Sequence, residues 1–134
     1  MCKIGDIIVV KNPKRENADI GKHSFIVIST EKGKIEGLEF DLVCNIMGSF
    51  DGKGEDYKLR KLSYPDNLEV SQNDVIVPNG NSKSGYVKPA VLFYFDSSIT
   101  EYEVIGQITI ELYNKIIEFI KQADEIEQTI DNLK

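Results

Sequence analysis

Tryptophan is absent from this chain of 134 residues, histidine occurs once and cysteine twice. Two cysteines, Cys2 and Cys44, are too few for a disulfide scaffold or a cysteine-only zinc site, and they fit a reducing, cytoplasmic setting. A lone His23 excludes a histidine-rich metal centre and leaves any conventional triad one candidate base. Long apolar stretches are also missing. The longest is the six residues Ala90–Phe95, where a membrane span needs about 20, so no membrane role is expected. The opening Met1-Cys2-Lys3-Ile4-Gly5-Asp6 puts a carboxylate where a signal peptide needs an apolar segment, which argues against export. The sequence holds no Walker loop, dinucleotide fingerprint, His-Glu-x-x-His or Cys-x-x-Cys.

What is present suffices for one folded domain. The composition, 41% hydrophobic and 28% charged with four prolines, excludes disorder over the whole length. A net charge of −6 argues against a protein that coats nucleic acid by bulk electrostatics. The charge is uneven, however. Residues 1–34 carry seven basic and four acidic side chains, whereas residues 101–134 carry three basic and eight acidic ones. A local anion site at the front of the chain is compatible with that distribution, as is a solvated surface at both ends.

Short β-branched segments dominate the pattern. Asp6–Val10 reads as a strand, residues 11–23 as a polar loop with Pro13 and Gly21, and Ser24–Thr30 as a buried strand. Lys32-Gly33-Lys34 turns toward a third strand at 38–46, and residues 48–56 are too polar and glycine-rich for anything but a loop. The alternation of Tyr57–Ser63 predicts a further strand, followed by strands at about 67–70, 74–77, 85–95 and 102–107. Some seven short strands imply a small barrel or strongly bent sheet. Thr109 is a candidate N-cap. Leu112, Ile116, Phe119, Ala123, Ile126, Ile130 and Leu133 predict one amphipathic helix over 109–133, its far end projecting or meeting a partner.

Candidate chemistry gathers at the outer ends of strands two and three. If these pair as a hairpin, His23 neighbours the segment Asn45, Met47, Gly48 and Ser49, placing an imidazole, an amide and a hydroxyl around one spot. His23 follows a loop carrying Lys11, Lys14, Arg15 and Lys22. An imidazole among cations suits proton transfer at an anionic ester such as an RNA phosphate; the plain alternative is a surface histidine ending a loop. Cys44 with His23 offers a thiol nucleophile, against an inert buried thiol on an apolar strand.

Four segments, in order, resemble the MazF/PemK-like toxins, the endoribonuclease arm of type II toxin–antitoxin pairs. They are Gly5–Val10 with Asn12-Pro13, Gly21–Ser29, Ser84–Leu92, and Val104–Ile108 followed by Leu112 and Ile116. The resemblance runs from about residue 5 to 120, with an extra stretch around 51–83. It implies a mainly β fold, a small SH3-like barrel with a C-terminal helix, forming a homodimer and cutting single-stranded RNA without metal or cofactor. It also implies a cognate antitoxin whose extended tail covers the RNA groove. The family's catalytic arginine falls on His23, its next proline on Ser24, and its catalytic threonine or serine near Met47, with Ser49 two residues on. The resulting expectation is His23 and Ser49 as catalytic residues, with Lys14, Arg15, Lys22, Asn45 and Arg60 contacting RNA. The alternative is an inactive SH3-like barrel that binds RNA or a protein partner.

Overall fold

A computed structural model describes residues 2–11, 14–15, 18–19, 23–78 and 84–130, with the backbone alone described at 14, 15, 18, 19 and 23. The strands begin with β1 (Asp6–Val10), a two-residue pair β2 (Lys14–Arg15) and β3 (Ala18–Asp19), and β4 (His23–Ser29). Then come β5 (Gly33–Ile35), β6 (Leu38–Phe40) and the long β7 (Leu42–Ser49). Helix α1 (Glu55–Ser63) precedes β8 (Leu68–Val70), a 3-10 turn at Gln72–Asp74 and β9 (Val75–Ile76). The chain continues through β10 (Gly85–Val87), β11 (Val91–Phe95), β12 (Tyr102–Ile108), α2 (Ile110–Gln122) and β13 (Glu127–Thr129).

The main sheet runs β13-β11-β7-β4-β1-β12-β9, with β10 paired to the outer half of β7 and β8 paired to β10. The 3-10 turn carries the chain from the edge at β8 to the edge at β9, which pairs with β12. The sheet thereby curls into a nearly closed barrel. In the turn the Ser71 amide and hydroxyl both donate to the Asp74 carboxylate. The architecture is mainly β, as the sequence pattern led one to expect, with two helices among the described residues where one was expected.

Both faces of the sheet are covered, and strict alternation divides the apolar residues between them. Ile7, Ile26, Ile28, Val43 and Tyr94 join Leu112 and Ile116 of α2 in one cluster. Their chain neighbours Ile8, Phe25, Val27, Leu42, Cys44, Phe93 and Phe95 form the other. Phe25 is the centre of the second cluster, with edge-on contacts to Phe93 and Phe95 at ring separations of 5.0 and 5.1 Å.

Several expected elements take another form. Residues 11–23 include the β2–β3 ladder within the expected loop. The strand expected at 38–46 is two strands, broken at Asp41, whose carboxylate accepts from the Ser97 amide and hydroxyl; β6 pairs with β5 instead. The strand expected at Tyr57–Ser63 is the helix α1, with Glu55 and Asp56 in its first turn and Arg60 and Lys61 in its last, charges that suit its dipole. The strand expected over 85–95 breaks at Lys88–Ala90.

The helix expected over 109–133 ends at Gln122. Thr109 caps its start as expected, its hydroxyl accepting from the Leu112 amide at 3.2 Å. A longer helix would have carried Asp124, Glu125 and Glu127 at the negative end of its dipole. The chain instead turns back, β13 pairs in parallel with β11, and Ile130 is buried. Leu133 lies outside the described residues.

Candidate functional site

The antiparallel register of β4 and β7 sets Ser24 opposite Met47, so the start of one strand and the end of the other are neighbours. The same row extends through Val9 of β1 to Glu103 of β12. Residues facing each other across neighbouring strands share a face of the sheet. Ser24, Met47 and Glu103 therefore stand in line across the barrel wall. An open groove of about 590 Å³ lies over this row, lined also by Gly48, Ser49, Ser84 and Val104.

Ser49 ends β7 opposite Gly85 and is exposed. Its hydroxyl accepts from the Asp51 amide at 3.0 Å, which orients the oxygen and leaves its proton available to a ligand. His23 begins β4 opposite Val10, a position on the other face of the sheet from Ser24 and the groove row; its side chain lies outside the described residues. Lys14 and Arg15 form β2, opposite Asp19 and Ala18 respectively, and their side chains lie outside the described residues too. So does Lys22 altogether. Arg60 is exposed on α1, with its guanidinium 5.5 Å from the Tyr57 ring centre.

Asn45 has a different task from the expected one. It is fully buried, and its side-chain amide donates to the carbonyls of Pro89 and Val91 at 3.0 and 2.9 Å. Those carbonyls belong to the break between β10 and β11, both of which pair with β7 on the same edge. Pro89 has no N–H for the ladder, and Asn45 bridges the gap from the opposite strand. A side chain so enclosed cannot contact RNA in the groove. Its Oδ1 has no hydrogen-bond partner.

Cys44 is likewise fully enclosed. Burial, and next the neighbouring Cys2, push its thiol well above the usual range. The thiolate needed for nucleophilic attack is thus disfavoured, which removes the thiol-enzyme alternative. Among the described residues no group of three or more His, Cys, Asp or Glu is placed to hold a metal. No described helix is long and apolar enough to cross a membrane.

Sequence reasoning missed two features of this surface. Glu103 enters the groove only through the β1–β12 pairing, which no local pattern reveals. The second is an apolar lip beside it: Ile76, Val104 and Ile105 are 56%, 44% and 37% exposed. A register shift between Ile7 and Ile8 against β12 accompanies that exposure. Such a bulge re-aims side chains that a regular strand would alternate inward.

Fold and site together define a small, mainly β protein with an open groove at the junction of β4, β7 and β12. No family model, curated protein or solved structure matches the chain.

Proposed function

We propose that the chain is an endoribonuclease toxin of the MazF/PemK kind, an SH3-like barrel that cuts single-stranded RNA without metal. The observation that carries this reading is the groove, where the β4–β7 register brings Ser24 near Ser49 and the β1–β12 pairing adds Glu103. Hydroxyls and a carboxylate at one open site are what cleavage by an internal nucleophile requires. The ribose 2′-oxygen attacks the adjacent phosphorus and forms the P–O2′ bond, while the bond to the 5′-oxygen breaks. The products are a cyclic phosphate and a 5′-hydroxyl.

In this reading Glu103 takes the 2′ proton, Ser49 donates to a non-bridging phosphate oxygen, and His23, paired with Val10 on the face of β4 opposite Ser24, protonates the leaving oxygen from around the start of the strand. Lys14, Arg15, Lys22 and Arg60 hold flanking phosphates. The active form is a homodimer in the cytoplasm, restrained by an antitoxin whose extended acidic segment occupies the groove. Mixed-sequence RNA incubated with the purified protein and a chelator tests the chemistry. The expected result is cyclic-phosphate ends, with cutting slowed about 100-fold or more in His23→Ala, the scale of general acid–base catalysis. Intact RNA at high protein concentration, or undiminished cutting by His23→Ala, would sink it.

The apolar lip of Ile76, Val104 and Ile105 favours a second reading, a non-catalytic barrel that binds RNA or a protein partner. Saturable binding without turnover separates that reading from the first.

A further inference from the structure

Helix α1 buries none of its nine residues, and a helix that short is marginal in isolation. Aromatic rings seat it on the barrel. Phe50, buried just beyond β7, meets the Tyr57 ring edge-on at 6.3 Å and the Tyr86 ring at 5.6 Å. Tyr86 lies across Gly48, where an added Cβ would come within 2.5 Å of the ring. Tyr57 and Tyr86 are half-buried and Tyr64, beyond the helix, is 44% exposed. Burial, and next its hydrogen bond with Tyr57, push the Tyr86 hydroxyl up to about 12, so this ring remains neutral at physiological pH.

Four cations stand over these rings. Lys53, Arg60 and Lys61 lie 5.4, 5.5 and 5.4 Å from the Tyr57 centre, and Lys58 lies 6.0 Å from that of Phe50. Lys61 also reaches Tyr64 and Tyr86, at 5.9 and 5.7 Å. The helix dipole accounts for Arg60 and Lys61 near the C-terminal end of α1. It does not account for Lys53, which precedes the helix, nor for rings where aliphatic side chains would serve to seat it.

The cluster lies on the other face of the β7–β10 ladder from the groove and meets it at the end of β7. Phe50 follows Ser49 and donates its amide to the Ser84 carbonyl, and Tyr86 pairs with Gly48; Ser49, Ser84 and Gly48 all line the groove. We propose that the Tyr57, Tyr64 and Tyr86 rings, with Lys53, Lys58, Arg60 and Lys61, form a platform that binds single-stranded RNA leaving the groove. Unstacked bases lie against the tyrosine rings while the cations turn from ring to phosphate. An acidic peptide would satisfy the cations and leave the rings unused; a single strand of nucleic acid uses both. The platform takes the identity of its polymer from the ribonuclease reading, but its binding is measurable without cleavage.

The probe is a fluorescein-labelled, fully 2′-O-methylated RNA strand of about 12 nucleotides, within the usual site sizes of single-strand binders. It lacks the attacking hydroxyl, so anisotropy reads binding alone. The double variant R60Q/K61Q should weaken binding roughly tenfold at low salt and reduce the salt slope by about 1.4, the share of two phosphates on a single strand. Tyr57→Leu should weaken it about fivefold or more, and Tyr57→Phe should retain it. If Tyr57→Leu loosens α1, seen as lost helicity, the charge variant still decides where its own helicity is intact; Lys61 is half-buried, and Arg60→Gln alone, at an exposed position, decides otherwise. Parent-like affinity and salt slope in R60Q/K61Q overturn the platform, as does an absence of binding by the parent. Cleavage of unmodified RNA is scored separately: intact RNA with platform-dependent binding removes the nuclease and keeps the platform. Normal cutting with platform-independent binding does the reverse.

Discussion

Replacing Asn45 by alanine tests whether this residue holds the sheet or the ligand. The substitution orphans the Pro89 and Val91 carbonyls that the side-chain amide satisfies at 3.0 and 2.9 Å. Leaving a buried polar group unpaired costs ~1–3 kcal/mol, with the lower figure apt for the partly exposed Val91 carbonyl. The missing amide leaves a void worth about 0.7 kcal/mol at ~30 Å³. Against this, the variant sheds Oδ1, which is buried without a partner and already costs ~1 kcal/mol. The net loss is about 3 kcal/mol, or a fall in Tm of roughly 10 °C for a chain this size. Urea titration followed by circular dichroism measures it, with the slope m expected to hold. An Asn45→Asp variant adds a sign. A buried carboxylate facing two carbonyls has its folded pKa raised above the unfolded value, so its stability is greatest below the ordinary aspartate range and falls as pH rises through the folded pKa. Should Asn45→Ala melt like the parent while the folded protein loses affinity for RNA, the structural assignment is wrong and the residue acts on the ligand.

Three further outcomes follow from the packing. Gly85→Ala should cost at least ~2 kcal/mol in chemical unfolding, because the new Cβ meets the Gly48 carbonyl oxygen across the β7–β10 ladder; an unchanged midpoint would show that the two strands are further apart. Cys44, measured in a Cys2→Ser background, should resist Ellman's reagent in the native state and react once urea unfolds the chain, and prompt native labelling would contradict its enclosure. Ile130→Ala should lose about 2–3 kcal/mol, since Ile130 is 9% exposed beside β13; no loss would mean that residues after α2 do not pack on the barrel.

The strands legible in the sequence were those whose side chains repeat with period two and meet a core on each face. β1 and β4 satisfy both conditions, and the β4–β7 neighbour relation followed from antiparallel geometry alone. The errors have a common physical origin. Tyr57, Leu59 and Leu62 alternate with cations as a half-buried strand would, but Leu59 is 59% exposed and the alternation reflects no buried face. The acid-first, base-last order of Glu55-Asp56 and Arg60-Lys61 was the better signal for that segment. For α2, the apolar stripe runs unbroken into residues that are not helical. A repeat of this kind fixes which residues seek burial, and Ile130 finds it by another backbone route. Pro89 was a signal for the break between β10 and β11 that the continuous strand expected over 85–95 overlooked; that Asn45 would satisfy the carbonyls there depends on a partner 44 residues away.

The candidate groove was legible to the same degree, and its surroundings change what the net charge of −6 means. Charges separated by more than about 8 Å are largely screened at physiological ionic strength. A phosphate on the α1 platform would therefore respond to Lys53, Lys58, Arg60 and Lys61, offset by Glu55 and Asp56 of the same helix, more than to the acidic total. A second hollow is lined by Asp66, Asp124, Glu125 and Glu127, and Asp66 lies three residues past the end of α1. Phe50, which packs on Tyr57 of α1 and on Tyr86, follows Ser49 of the groove. A strand bound as proposed would meet carboxylates near Asp66 and hydroxyls near Ser49. On that proposal the acidity that argues against coating nucleic acid also disfavours the stretch past Asp66 as a site for a bound strand.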